Sequence, residues 1–210
     1  MKKWPGHVIL SAAKDLKSLA DLYRPAEILR CAQDDMSGEI YNGMIHTKIV
    51  EWMMENMSVF ERILALLEEQ HVPYKLTEHE AVRTSEEAAK LRGVALRTGA
   101  KAMIVRGKDA DYYLFVLPAD KQLDWKQMRA LLGVRHLRFA TEEEAEGVAH
   151  VKMGSVPPFG NVLGLPTYFD EGLFENEVVN FNPGSTTHSI AMKSADLRAL
   201  VSPVVTSFAK

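Results

Sequence analysis

The pattern of apolar and polar positions is regular through the last three quarters of the chain. Residues 58–61 (SVFE) form a capping box, and apolar positions then recur every three or four residues, which predicts a helix to about Gln70. Pro73 favours an extended segment after that helix. A second capping box at residues 84–87 (TSEE) predicts a short helix that ends at Gly93, because glycine suits the left-handed position after a helix.

Two β-prone apolar runs follow, at residues 100–105 and 112–117, and the polar segment between them predicts a hairpin. Asp124 is expected to cap a helix that ends at Gly133. The other predicted elements are a strand at 134–139, a helix from Thr141 to Gly147, a structured loop at 154–164, strands near 167–169, 178–181 and 188–192, a helix at 194–200 and an extended tail. Because this order has no repeated strand-helix-strand rhythm, we expect an α+β fold with a mixed, largely antiparallel sheet and flanking helices.

The first 56 residues differ from the rest, with scattered charges and weak periodicity. The strings HVILSAAKDL and AEILRCAQDDM resemble the translation of an interspersed intergenic repeat found at the starts of over-extended bacterial reading frames. We therefore expect residues 1–56 to be an N-terminal extension, with the biological start at Met54 or Met57, and residues 57–210 to form one domain. A genuine helical appendage is the alternative interpretation.

Composition narrows the class of protein. The 210 residues carry 25 Lys and Arg against 28 Asp and Glu, and 47% are hydrophobic, which fits a globular protein and excludes a polycation. The single cysteine, Cys31, excludes an internal disulfide and a cysteine-only zinc site. No apolar run approaches the roughly 18 to 20 residues that span a bilayer. We expect a cytoplasmic protein without a membrane partner.

Three local features have candidate chemistry, and each has a structural alternative. Lys101 begins an apolar strand, where it either extends to solvent or is held as a fixed cation. The segment 154–160 (GSVPPFG) either presents backbone amides to a ligand oxygen or is a structural crossover. His188 follows a turn rich in hydroxyls and is either a pocket residue or a structural histidine.

The order and spacing of several motifs resemble one family from about Ser58 to the C-terminus. These motifs are residues 76–79 (LTEH), 84–89 (TSEEAA), 99–101 (GAK), 113–120 (YLFVLPAD), the G-x-x-x-P loop at 154–158, 168–171 (YFDE), 184–188 (GSTTH) and 194–197 (SADL). The chain resembles the YbaK-like aminoacyl-tRNA deacylases, relatives of the editing domain inserted in bacterial prolyl-tRNA synthetase. One departure is Ala102, because the family's lysine is usually followed by a small polar residue.

The resemblance implies a free-standing enzyme that hydrolyses the ester of mischarged tRNA, with mischarged aminoacyl-tRNA and an aminoacyl-tRNA synthetase as expected partners. It implies no cofactor and no metal. Lys101 is the main catalytic candidate and His188 the second. The expected substrate-binding residues are His79, Gly154, Ser155, Val156, Pro157, Pro158, Asp170 and Gly184.

The charge distribution around Lys101 predicts where tRNA binds. Between residues 83 and 108 there are seven basic and two acidic residues, a local net charge of +5. Such a segment either contacts acceptor-stem phosphates or is a solvated surface. The expected tRNA contacts are Arg83, Arg92, Arg97, Arg106 and Lys108.

Three other functions compete with the deacylase. The first is a non-catalytic module of the same fold that binds an aminoacyl or prolyl ligand or a synthetase. The second is a hydrolase with a triad of Ser155, His188 and Asp170, although Ser155 lacks the strand-turn-helix context of a nucleophile elbow. The third is a metal site formed by His79, His188 and Asp170.

Overall fold

The computed structural model describes residues 57–82, 84–108 and 111–210 and divides the chain into two compact units, Met1–Gln70 and His71–Lys210. Within the described residues, the first unit contributes helix α1 (Val59–Glu69). The predicted capping box is confirmed, since the Ser58 hydroxyl accepts from the Glu61 amide and the Glu61 carboxylate accepts from the Ser58 amide. The predicted extension at residues 1–56 lies outside the described residues, so its boundary stays a prediction.

The second unit contains the other helices and strands. In chain order these are β1 (Tyr74–Glu78), α2 (Ser85–Arg92), β2 (Ala100–Arg106), β3 (Tyr112–Pro118), α3 (Trp125–Leu132), β4 (Arg138–Phe139), α4 (Glu142–Ala149), α5 (Gly160–Leu163), β5 (Thr167–Asp170), β6 (Val178–Phe181), β7 (His188–Lys193), α6 (Ser194–Val201) and β8 (Val204–Thr206), with 3-10 helices at Leu96–Thr98 and Glu171–Glu175. No helix in the described ranges is long and apolar enough to cross a membrane.

The strands of the described residues form two sheets, which confirms the α+β class. A three-stranded antiparallel sheet has the order β1-β7-β6, and a five-stranded mixed sheet has the order β4-β2-β3-β5-β8. The predicted hairpin is β2 and β3, whereas β5 runs parallel to both β3 and β8. A single bridge between Gly99 and Asn180 brings the start of β2 beside β6.

One buried hydrophobic cluster of the second unit lies between the five-stranded sheet and α3. Its buried side chains are Val105, Phe115, Leu117, Leu123, Met128 and Phe208. The Phe115 ring stacks on Tyr168 at 4.9 Å and meets the edge of Phe208 at 5.0 Å. Each large side chain buried here contributes about 1.5 to 3 kcal/mol, so this core fixes β2 and β3 as a rigid platform.

Three predicted elements differ from the structure. The strand expected at 134–139 is only β4, because just two residues of β2, Val105 and Arg106, are available to pair with it before β2 ends. Helix α4 continues past Gly147, because Ala149 is buried in its last turn, and His150 takes the left-handed C-terminal position instead. The loop expected at 154–164 includes the short helix α5.

Candidate active site

A cavity of about 330 Å³ lies at the start of β2, bordered by α2, β6 and the loop that follows α4. Its lining residues are Thr84, Ser85, Glu86, Ala88, Ala89, Arg92, Val94, Gly99, Ala100, Lys101, Ala102, Met103, Met153, Gly154, Val156, Asn180, Phe181 and Asn182. The acidic and basic residues in this lining are Glu86, Arg92 and Lys101. The wall combines apolar residues with several polar and charged ones, and convergent polar groups in a concave pocket are typical of a small-molecule site.

Lys101 is half-buried at the second position of β2, opposite Leu117 of β3. Its ammonium donates to the carbonyl oxygen of Lys121 at 2.8 Å and to that of Ala119 at 3.3 Å. Burial lowers the pKa of Lys101, and the nearby carboxylates of Glu86 and Asp120 oppose that shift. The structure thus holds the charge of Lys101 in place at the cavity.

Gly99 lets the loop that follows β3 approach closely enough to bind Lys101. The Gly99 carbonyl accepts from the Ala119 amide at 2.9 Å. A Cβ at Gly99 would lie 2.9 Å from the Cβ of Ala119, which is closer than real side chains pack. The absence of a side chain at Gly99 therefore keeps the Ala119 carbonyl within reach of the Lys101 ammonium.

Arg92 connects α2 to three other parts of the site. Its Nε donates to the Ser189 hydroxyl at 2.8 Å, and its Nη2 donates to the side-chain oxygen of Asn182. Asn182 in turn donates to the carbonyl of Gly154 at 2.9 Å, and a ring nitrogen of His79 bonds to Ser189. Burial lowers the pKa of Arg92 to about 10, and no carboxylate among the described residues pairs with it.

The G-x-x-x-P loop contributes Gly154 and Val156 to the cavity wall. Gly154 has a φ of +88°, a conformation that favours glycine. Ser155 is buried with its hydroxyl bonded to the Lys152 carbonyl at 2.7 Å, and its own carbonyl accepts from the Gly184 amide at 3.0 Å. Within the described residues, no hydrogen bond from the Val156 amide is found.

Pro157, Pro158 and Gly184 do not line this cavity. The two prolines are buried, and their restricted backbone stiffens the chain directly after Val156. Gly184 acts on the loop only through its bond to Ser155. These three predicted residues therefore shape the cavity from outside its wall.

Other predicted site residues lie outside the cavity wall. Asp170 is buried, and its two oxygens accept from the amides of Gly172, Phe208 and Ala209 at 3.0, 2.8 and 2.8 Å, which ties the end of the chain to β5. Nδ1 of His188 lies 3.0 Å from the Ser185 hydroxyl and 3.1 Å from that of Thr187. Neither Asp170 nor His188 lines the cavity, so the expected roles of these two residues at the substrate stay predictions.

The structure also separates the members of the two alternative sites. The Ser155 hydroxyl donates to Lys152, while the Asp170 carboxylate is occupied by backbone amides, so neither bonds to His188 as a triad requires. His79 bonds to Glu80 and Ser189 rather than approaching Asp170. Over the described ranges, no three metal-ligating side chains converge.

The basic segment does not form one continuous patch. Arg92 lies in the cavity, Arg97 pairs with Glu175 at 3.3 Å, and Arg106 pairs with Glu144. Lys108 is exposed in the turn after β2. Arg83 lies outside the described residues. The five expected tRNA contacts therefore stay predictions, although Arg92, Arg97 and Arg106 have other partners among the described residues.

Sequence reasoning missed several residues of the cavity wall, including Glu86, Asn180 and Asn182. Glu86 was assigned only to a capping box, and Asn182 only to a turn. Asn180 donates to the Thr98 hydroxyl at 3.1 Å across the junction of the two sheets. A polar side chain directly after β6 and before the Pro-Gly turn is the available signal for Asn182, but the sequence does not show which element this side chain faces.

Comparison with known proteins places the chain in a family. The aminoacyl-tRNA editing domain matches residues 79–200. The multifunctional Ser/Thr-tRNA deacylase ProXp-y of Escherichia coli K12 is 30% identical over 160 residues, which cover 74% of this chain and 96% of that protein. The prolyl-tRNA editing protein ProX of Acetoanaerobium sticklandii is 26% identical over 151 residues, covering 70% and 92%.

A solved structure supports the same assignment. The crystal structure of a candidate trans-editing enzyme for prolyl tRNA synthetase matches with a TM-score of 0.64 and 28% identity, over 73% of this chain and 98% of that one. The sequence match, the fold and the spacing of the motifs around Lys101 agree, and the resemblance predicted from the sequence is confirmed. The chain belongs to the aminoacyl-tRNA editing domain family.

Proposed function

We propose that the protein is a free-standing aminoacyl-tRNA deacylase, which hydrolyses the ester that joins a wrong amino acid to the terminal ribose of tRNA. The observation that carries this proposal is the ammonium of Lys101, fixed at a cavity whose wall also includes Val156. The chain spans nearly the full length of ProXp-y, whose name describes a Ser/Thr-tRNA deacylase. A match over nearly all of ProXp-y fits an enzyme that is not part of a synthetase.

Lys101 is suited to stabilise the charge that develops when water attacks the ester. An ammonium has three N–H donors, and two of those of Lys101 bond to the carbonyls of Ala119 and Lys121. The third is available to the ester oxygen. The negative charge on the tetrahedral intermediate would then lie between the Lys101 ammonium and the Val156 amide.

The remaining steps need only water and the substrate. The oxygen of water forms a bond to the carbonyl carbon and the water gives up a proton. The bond from that carbon to the ribose oxygen breaks, and the ribose oxygen takes up the proton that the water has given up. An ester is already reactive, so positioning and charge stabilisation supply the required acceleration. Neither a covalent nucleophile nor a metal has a step in this proposal.

The cavity wall leaves room for more than one small aminoacyl group. Glycine and alanines form much of the wall around Lys101, at Gly99, Ala100, Ala102, Ala88 and Ala89. A pocket distinguishes one methylene by only about 1 to 3 kcal/mol, so several small amino acids would be accepted. Because ProXp-y is a Ser/Thr-tRNA deacylase by name, seryl-tRNA and threonyl-tRNA come first in a test panel.

The test is a panel of mischarged tRNAs incubated with the wild type, Lys101→Ala and Lys121→Ala. We expect Lys101→Ala to lose about 10²- to 10³-fold in kcat/KM, the usual loss for one donor to a developing oxyanion. Lys121→Ala removes a neighbouring exposed ammonium but keeps the carbonyl that binds Lys101, so it should stay active. Thermal unfolding should be similar for all three proteins.

Two outcomes would contradict the proposal. Full activity of Lys101→Ala would exclude the mechanism. Retention of aminoacyl-tRNA without hydrolysis by the wild type would instead favour the non-catalytic binding module. An aminoacyl-tRNA synthetase partner stays a prediction, and co-purification with tagged synthetases tests it separately.

A further inference from the structure

Glu86 is a carboxylate in the cavity wall that the proposed mechanism does not use. It is the second residue of α2, where the capping box is formed by Thr84 and Glu87, so the helix cap does not need Glu86. Its side chain is exposed, and among the described residues its carboxylate has no hydrogen bond or ion pair. The carboxylate is near enough to Lys101 to oppose the lowering of the lysine pKa.

The cavity wall has more basic than acidic residues. Arg92 and Lys101 are basic, and Glu86 is the one acidic residue in the described lining. Two fixed cations suit a carbonyl oxygen and the oxyanion that forms from it. They would repel a positive group on the same substrate unless a carboxylate lay beside it.

An aminoacyl ester carries such a positive group. An α-amino group has an ordinary pKa of about 7.7 to 8.0, so a large fraction is protonated at neutral pH. This ammonium is attached to the carbon next to the reacting carbonyl and must therefore enter the cavity with it. A carboxylate close to the Lys101 ammonium can bind the α-ammonium of the substrate while the lysine binds the carbonyl oxygen.

We propose that Glu86 binds the α-ammonium of the aminoacyl ester, so that the enzyme distinguishes free aminoacyl-tRNA from N-acylated and peptidyl-tRNA. This inference rests on the proposed deacylase function. In an N-acylated ester the amine is an uncharged amide, which gains nothing from a carboxylate and is bulkier. Glu86 is thus a specificity-determining residue that rejects esters whose amino group is already acylated.

Two other effects of Glu86 need to be separated from this one. Its charge supports the protonated state of Lys101, and an acidic residue in the first turn favours the helix. Both effects act on every substrate equally. A direct contact between Glu86 and the substrate α-ammonium would act differently, because only substrates with that ammonium would lose it when Glu86 is replaced.

The experiment compares seryl-tRNA with its α-hydroxy analogue, made by nitrous acid deamination, which replaces the ammonium by a hydroxyl of similar size. The proteins are the wild type, Glu86→Gln and the matched control Glu143→Gln, which is the second residue of α4 and lies outside the cavity. For each we measure kcat/KM on both esters and the thermal unfolding midpoint. Where the hydroxy ester reacts too slowly, its inhibition constant against seryl-tRNA gives the same comparison.

We expect Glu86→Gln to lower kcat/KM for seryl-tRNA about tenfold and for the hydroxy ester less than about twofold, as for loss of a hydrogen bond to a charged group. Glu143→Gln should change neither value. An equal loss on both esters, or no loss on either, with an active wild type would overturn this inference and leave the deacylase function standing. A wild type inactive on every aminoacyl-tRNA would overturn the proposed function itself.

Discussion

The two ends of β2 hold their basic residues in opposite ways. At the start of the strand, Lys101 and the neighbouring Arg92 bond to neutral oxygens of carbonyl, hydroxyl and amide groups. At the end of the strand, Arg106 shares the Glu144 carboxylate with Arg138. Lys101 and Arg106 are about 17 Å apart along the strand, at roughly 3.3 Å per residue.

The pKa values of the charged residues also differ between the two ends of β2. Burial lowers the pKa of Arg92 to about 10 and also lowers that of Lys101. At the other end, the hydrogen bond from Arg138 is the main cause that lowers the pKa of Glu144 to about 2. Arg92 has no carboxylate partner among the described residues. A partly buried cation without such a partner is destabilising on its own, so the place of Arg92 in the cavity wall points to a ligand that supplies negative charge.

Arg92→Gln should cause the largest loss of deacylation rate, and Arg106→Gln is its control at the other end of β2. Arg92→Gln breaks the connection through Asn182 to the Gly154 carbonyl, and small misplacement of a reacting group costs about 10²-fold in rate. Arg106→Gln should keep activity within about twofold, because it changes only the distant cluster. Deacylation of seryl-tRNA and thermal unfolding are measured for both.

Arg92→Lys is a third variant that keeps the charge without the forked geometry of the guanidinium. If it folds and is as impaired as Arg92→Gln, the hydrogen-bond geometry matters rather than the charge. Wild-type activity in a folded Arg92→Gln protein would show that the loop does not depend on this connection.

Local patterns predicted the elements that carry the site, but not the contacts that define it. The capping box of α2, the hairpin and the position of Lys101 on β2 follow from short segments of sequence. Arg92 and Arg106 are alike in sequence, and their different roles depend on Asn182 and Glu144, which are 90 and 38 residues away along the chain. The partners of Asp170 are equally remote, since its carboxylate accepts from amides near the C-terminus.

A smaller effect is expected on stability in acid. The pKa of Glu144 in the folded protein is about 2 and its ordinary value is 4.5, so its stabilising contribution is complete above 4.5 and is lost as the pH falls towards 2. The thermal unfolding midpoint of the wild type should therefore fall more steeply between these values than that of Glu144→Gln. Parallel curves would show that the pairing with Arg106 and Arg138 adds no stability.

The smallest effect concerns the salt dependence of tRNA binding. Lys108 is exposed in the turn after β2 and has no ion pair within the described residues, whereas Arg106 already has a carboxylate partner. A cation that contacts a phosphate releases a counter-ion on binding, and its removal lowers the slope of log affinity against log salt by about 1. Lys108→Ala should show this change, and Arg106→Ala should show less, because Glu144 already neutralises that arginine. The measurement is KM for seryl-tRNA over about 50 to 200 mM salt. Equal slopes for the wild type and Lys108→Ala would remove the turn from the tRNA interface and leave the cavity end of β2 as the region that binds substrate.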